Sequence, residues 1–276
     1  LIKEIEKKDR LTWGNFIHKL EESDDKISKA WAPIRHLNSV MNSPKIRKQY
    51  EKSLNLLTSH YAKVGQNSKL YAKYENFYNR HKDNLNQQQR KLLSDSLKGF
   101  RLSGVHLTGD DRKLFRNSQE KLAALESKFE QNILDSSNAW ELNFQTKKPL
   151  KGMPNNAIET AAELAKSKKQ SGYTLTLDQP CYMAVMTFSE DRKLRKKVYA
   201  AYASRASNEF PIKGKWDNTK IIEEILELRQ LISEILGFQN YAEYSLATKM
   251  AKTPGDVIKF LNDLKKKAIR KSRNEF

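Results

Sequence analysis

The residues with the clearest capacity for metal or acid–base chemistry are the five histidines, His18, His36, His60, His81 and His106. No two of them stand about three to five residues apart, so no helix carries a pair that could bind a metal ion from one face. The zinc-binding motif His-Glu-x-x-His is absent from the sequence. The histidines therefore indicate no zinc site, and His18 beside two glutamates is typical of a solvated helix face.

Other residue types that support catalysis also lack the necessary context. Gly109-Asp110-Asp111 is a turn followed by a helix start and has no phosphate-binding loop around it. Ser245 has no nucleophile-elbow sequence on either side. The carboxylate pairs Asp24-Asp25 and Glu223-Glu224 are adjacent residues, which do not converge on one face of a helix. Residue spacing alone therefore predicts a basic helical domain without a catalytic centre.

Composition narrows the class of protein. The net charge of +18 results from 51 basic and 33 acidic residues, which would attract nucleic acid or anionic surfaces. The lysines are spread along the whole chain and no RNA-binding motif is present, so specific nucleic-acid binding is not expected. The one cysteine, Cys181, excludes an internal disulfide. No apolar run approaches the roughly 18 residues of a membrane span, so we expect no membrane partner.

Hydrophobic periodicity predicts a mainly helical, all-α fold with one or a few short strands around 173–177. Apolar residues recur at helical spacing in most of the chain, and Pro33 is expected to interrupt the first long helix. Tyr173-Thr174-Leu175-Thr176-Leu177 alternates as a strand does, but no convincing second strand lies nearby in the sequence. We therefore expect this strand to pair with chain outside the sequence. The predicted helices are about 13–31, 44–61, 70–78, 88–102, 110–133, 155–168, 190–207, 219–236 and 254–276.

The chain divides into two predicted regions. Residues 1–150 form an N-terminal helical region, and residues 151–276 form a helical region that contains the short strand. The last helix begins at Thr253-Pro254 and reaches Phe276 without a Gly, Pro or other stop signal. We therefore expect the second region to continue into polypeptide that the sequence does not include.

Several stretches resemble the M3 zinc metallopeptidases of the thimet oligopeptidase class. They keep their order and cover nearly the whole chain, so together they are far more specific than any one of them. The stretches run from Trp31-Ala32-Pro33-Ile34-Arg35-His36 to Ser43-Pro44, and include Val64-Gly65-Gln66-Asn67, Phe100-Arg101-Leu102-Ser103-Gly104-Val105, Phe129-Glu130-Gln131-Asn132-Ile133-Leu134-Asp135 with Trp140, Tyr173 to Asp178, Arg192 to Arg205, and 214–251 with Gly214-Lys215-Trp216-Asp217-Asn218-Thr219.

The resemblance implies a two-domain, mostly helical, cytoplasmic enzyme with a deep channel that admits short peptides. In this family a His-Glu-x-x-His helix and a downstream Glu bind zinc, and the Glu of the motif activates the zinc-bound water. No position of this sequence matches those residues, which is the main departure from the family pattern. The resemblance therefore implies zinc, peptide substrates and a catalytic domain after residues 151–276 for a longer parent protein, and no bound metal and no activity for this fragment alone.

Three aromatic residues are candidates for the wall of the substrate channel: Trp31, Tyr173 and Tyr182. Packing in the core is the more usual role for such side chains and remains the competing interpretation. Two other functions stay open from the sequence. One is a stand-alone basic helical binding module for nucleic acid or protein, and the other is a structural helical domain with a protein partner.

Overall fold

The computed structural model describes residues 1–212, 214 and 216–275. Lys215, in one of the family-like stretches, and Phe276, the predicted end of the last helix, lie outside the described residues, as does Lys213. The described part contains twelve α-helices and two short β-strands. They are α1 Ile2–Lys7, α2 Ile17–Val40, α3 Pro44–Gly65, α4 Ser68–His81, α5 Gln87–Leu102, α6 Gly109–Ala139, β1 Glu141–Phe144, α7 Asn155–Ser167, β2 Tyr173–Thr176, α8 Gln179–Phe188, α9 Arg192–Ala203, α10 Thr219–Ile235, α11 Tyr241–Leu246 and α12 Pro254–Glu275.

The mainly helical fold class is confirmed, and the chain separates into two compact units. Unit 1 comprises residues 1–123 and 226–276, and unit 2 comprises residues 124–225. The boundary that the sequence suggested at residue 150 stays a prediction. No helix among the described residues combines the length and apolar character that crossing a bilayer requires.

The core of unit 1 forms where apolar faces of α1, α2, α4 and α5 meet. Ile5, Phe16, Ile17, Leu70 and Leu93 are each at most 1% exposed. The ring of Phe16 meets those of Tyr74 and Phe77 edge to face, an arrangement that adds to the energy of burial. The side-chain oxygen of Asn67 accepts the Leu70 N–H and so begins α4, and its amide donates to Glu6, which ties α1 to this core.

Pro33 does not interrupt its helix, so that expectation is wrong. The helix α2 continues from Ile17 to Val40 with Pro33 inside it. Pro33 is exposed, so the carbonyl that loses its intrahelical partner can be hydrated, and the helix tolerates the missing N–H. The prediction that Ser43-Pro44 starts the next helix is confirmed, because the Ser43 hydroxyl accepts the Ile46 N–H.

The strand predicted at 173–177 is present as β2, but its expected lack of a nearby partner is wrong. It pairs antiparallel with β1, in the register Glu141 with Thr176 and Phe144 with Tyr173. Gly172 precedes β2 with a φ of +84°, and a Cβ there would lie 2.0 Å from the Phe144 carbonyl oxygen. Only glycine fits this close approach, which brings the two strands together.

The core of unit 2 lies against this two-stranded sheet. Leu175 and Leu177 of the β2 segment pack with Trp140, Val185 and Val198, which are all at most 3% exposed. The helices α8 and α9 pack against each other, and α7 packs on β2. The sheet therefore serves as the surface on which the helices of unit 2 are arranged.

A buried pair of asparagines joins α6 to the segment before α10 within unit 2. The Asn132 amide donates to Asn218 Oδ1 at 2.7 Å, and the Asn218 amide donates to the Phe129 carbonyl at 3.1 Å. Asn132 and Asn218 are 1% and 2% exposed, respectively. Asn132 Oδ1 has no hydrogen-bond partner within the described part of the chain. This polar contact inside an apolar unit fixes which segments meet there.

Candidate functional site

An open groove of 670 Å³ in unit 2 lies beside β2, the strand that was predicted from the sequence. One wall is a face of α7, where Ala157, Ala161 and Leu164 recur at helical spacing. The opposite wall is a face of α8 that includes Met183 and Phe188. The volume lies within the range of about 300–1,000 Å³ that ligand-binding clefts occupy.

The floor of the groove is formed by alternate residues of β2 and by the turn after it. Thr174 and Thr176 face the groove, since alternate side chains of a strand share one face. The Thr176 hydroxyl donates to the Asp178 carboxylate at 2.7 Å. Asp178 is the one charged side chain that lines the groove within the described residues. The groove is therefore apolar on its walls and carries a single negative charge near one end of its floor.

Cys181 lies on the α8 wall, and its surroundings keep it protonated. Burial, and after it the charge of Asp178, raise the pKa of the Cys181 thiol above its usual range, although hydrogen bonding with Thr176 acts in the opposite direction. A thiol with a raised pKa is a poor nucleophile at neutral pH. Cys181 is therefore part of the groove's lining and is not an activated catalytic cysteine.

Two of the three predicted channel aromatics lie in unit 2, against its core. Tyr182 stacks on Tyr202 with ring centroids 3.8 Å apart, and the Arg205 guanidinium lies 3.6 Å from the centroid on the Tyr202 ring. Tyr173 is half-buried in β2 against the same core. Neither residue lines the groove, although each belongs to an element that forms it.

Trp31 lies in unit 1, whereas Tyr173 and Tyr182 lie in unit 2. It stacks on Tyr50 with centroids 5.1 Å apart. It also lines a second cavity, of 410 Å³, together with Leu54, Leu57 and Tyr61. One edge of this indole is thus open to a cavity while its face packs on a neighbouring ring. The role of all three aromatics in a channel stays a prediction.

The groove itself was missed at the level of sequence because α8 was not recognised. Pro180 follows closely after the strand segment and lies in the first turn of α8. Proline is favoured at the start of a helix, where its missing N–H has no partner to lose. That position, followed by an apolar run to Phe188, is the signal that could have revealed the second wall.

Zinc does not fit the described part of the chain. Among the described residues, no three His, Cys, Asp or Glu side chains come together as a group that could hold a metal ion. Structural and catalytic zinc sites need three or four such ligands.

Comparison with known proteins gives two family matches in one chain. Residues 1–112 match the neurolysin/thimet oligopeptidase N-terminal domain, and residues 185–276 match peptidase family M3. The second match includes part of the α8 wall of the groove. The two matches lie in the order expected for one continuous protein of this group.

Curated relatives extend the likeness over nearly the whole chain. Oligopeptidase A of Haemophilus influenzae is 40% identical over 99% of this chain, and that of Escherichia coli is 40% identical over 96%. A probable cytosolic oligopeptidase A of Arabidopsis thaliana is 34% identical over 91%. The chain covers only 40%, 39% and 36% of these three proteins, respectively. The chain therefore belongs to peptidase family M3.

Proposed function

We propose that this chain is the N-terminal, non-catalytic portion of a cytoplasmic zinc-dependent oligopeptidase that hydrolyses short peptides inside a deep channel. The observation that carries the proposal is the 40% identity to oligopeptidase A over 99% of the chain, in a sequence without His-Glu-x-x-His. The zinc ligands and the general base then belong to polypeptide beyond this sequence. When bound, zinc would supply the activated water of the hydrolysis.

An exposed apolar stripe on α12 supports the existence of such further polypeptide. None of the described residues of this helix is buried. Its apolar side chains Ile258, Phe260, Leu261 and Leu264 are between 50% and 66% exposed. A stripe of this kind on a soluble protein marks a surface that another element covers. The same stripe would leave the chain prone to association when it is produced alone.

The full gene product provides the direct test of the proposal. We expect a protein of roughly 2.5 times this length, as the coverage of the curated relatives implies, with a His-Glu-x-x-His motif after Phe276. It should cleave short peptides, lose that activity on chelation, and recover it with added zinc. Substitution of the motif Glu should abolish cleavage while zinc binding persists. The 276-residue chain should neither cleave the same peptides nor bind zinc stoichiometrically.

Three outcomes would refute the assignment. The first is a natural protein that ends near Phe276, and the second is activity that survives chelation. The third is cleavage by this chain alone after zinc has been removed. In the first case the chain would be a peptidase-like scaffold without chemistry, and a binding function would take its place.

Trp31, Tyr173 and Tyr182 are proposed to contribute to the channel of the full protein. Substitution of Trp31 is the most direct test of the three, because Trp31 lines a cavity. We expect Trp31→Phe in the full protein to raise KM for short peptides with kcat little changed. The contact that is lost would stabilise the bound substrate and the transition state equally. Exposed Leu56, at 65%, provides the matched control as Leu56→Ala. Equal kinetics for both variants would remove Trp31 from the channel.

A further inference from the structure

The groove of unit 2 is lined by apolar side chains of two helices, and several of these side chains stay partly exposed among the described residues. On α7 the lining residues include Ala157, Ala161 and Leu164, and on α8 they include Met183 and Phe188. Met183 and Phe188 are 50% and 51% exposed. Faces with apolar residues at three- and four-residue spacing are those that helices bury against a third element. The groove is therefore shaped like one side of an unfinished helical layer.

The dimensions and lining of the groove favour a helix as its occupant. The small and partly exposed Ala157 on one wall allows another helix to approach to the usual interaxial distance of about 8–10 Å. Flexible methionine on the other wall adapts its shape to the side chains that it meets. A volume of 670 Å³ accommodates a few large side chains from such a helix.

The single charge on the floor specifies one feature of that helix. Asp178 is exposed to the groove and holds the Thr176 hydroxyl, with no cationic side chain bonded to it in the described residues. A lysine or arginine of the occupant would pair with this carboxylate, while its apolar side chains would cover Met183 and Phe188. Opposite charge at the floor and apolar contact at the walls together fix the register of docking.

The curated relatives indicate where such a helix comes from. Each of the three is more than twice as long as the stretch that this chain matches. We propose that the groove is the docking surface for an amphipathic helix of the remaining, catalytic polypeptide, with one lysine or arginine opposite Asp178. This inference rests on the proposed function, because it requires that the catalytic polypeptide exists. A substrate peptide and a second copy of this chain are the rival occupants.

Cys181 provides a built-in reporter, because it lines the groove and is the one cysteine of the sequence. Its alkylation by iodoacetamide can be followed by mass spectrometry of the peptide that contains it, in this chain and in the full protein. Docking predicts that alkylation is slower in the full protein by at least about tenfold, since the groove must open before the reagent enters. Equal rates in the two proteins would overturn the proposal.

A substitution at the groove gives an independent test. Met183→Asp should change the Tm of this chain little, because the side chain is half-exposed. In the full protein the same substitution places a charge in a buried interface, and Tm should fall by at least about 3 °C. Met41→Asp is the matched control, since Met41 is 65% exposed and lies outside the groove. A fall of the same size for both variants, or for neither, contradicts docking.

Combined outcomes separate the docking proposal from the proposed function and from the rival occupants. Protection of Cys181 in a full protein without peptidase activity supports docking and refutes the function. Activity without protection refutes docking and leaves the function standing. Protection that appears only with added short peptide assigns the groove to substrate, and protection of this chain that rises with its concentration assigns it to a second copy. Either of these last results overturns the proposal.

Discussion

The buried asparagine pair of unit 2 offers the most quantitative test of the fold. The substitution Asn218→Ala removes the acceptor of the Asn132 amide and the donor to the Phe129 carbonyl, at 2.7 and 3.1 Å. Both groups then stay buried without these partners. Each lost hydrogen bond contributes about 1 kcal/mol net, and an orphaned buried group costs about 1–3 kcal/mol. We expect the free energy of unfolding to fall by about 2–4 kcal/mol.

Urea unfolding followed by tryptophan fluorescence measures this loss, because Trp140 is buried in the same unit at 3% exposure. Asn138→Ala is the matched control, as Asn138 is exposed on the same helix as Asn132. Asn132→Leu should be less damaging than Asn218→Ala, because Asn132 Oδ1 already lacks a partner among the described residues. The reasoning is refuted if Asn218→Ala falls within about 0.5 kcal/mol of the control.

Three further substitutions test local features by thermal or urea denaturation. Gly172→Ala should lower the free energy of unfolding by about 1–3 kcal/mol, because the φ of this residue is +84° and the new Cβ meets a carbonyl oxygen of the paired strand. Gly14→Ala is the control and should leave the free energy of unfolding unchanged, because a Cβ there has nothing within 4 Å. Hydrogen bonds from a lysine and a glutamine lower the pKa of Glu141, so the stability that Glu141→Gln removes should be present above pH 4.5 and vanish as the pH falls below it. Burial and the hydrogen bond to Asp24 raise the pKa of Tyr61 from 10.0 to about 12. The wild-type protein should therefore lose stability between those two pH values, and Tyr61→Phe should lose less. Parallel curves of stability against pH for the two proteins would contradict this.

Helical periodicity predicted most helices because their apolar stripes are long and distinct. The predicted helices at about 155–168 and 219–236 end within one residue of α7 and α10. The helix α8 was not predicted because its segment is apolar on nearly all sides, so it lacks the contrast between polar and apolar faces that periodicity detects. Pro33 was expected to break its helix because a sequence does not show whether the freed carbonyl faces solvent.

The strand pairing and the groove depend on contacts between residues distant in sequence. The strand β1 has four residues and follows directly after α6, so its alternation is too short to recognise. Its partner Thr176 stands 35 positions after Glu141, and no local pattern encodes that register. The groove in turn exists only because α7 and α8 both meet the strand. The family-like stretches, by contrast, were recognisable because they are residue identities rather than shapes.

The discontinuity of unit 1 sets an order for folding during synthesis. Residues 124–225 of unit 2 are contiguous, so this unit can complete its contacts as soon as residue 225 has left the ribosome. Unit 1 receives its last residues only with 226–276, although its core around Ile5 draws on residues 2–105 alone. The six-residue helix α1 is too short to persist alone, yet Ile5 ends fully buried. The apolar face of α1 therefore finds its partners once residues up to 105 have been synthesised, so this core can form before unit 2, and unit 1 is completed only when residues 226–276 follow.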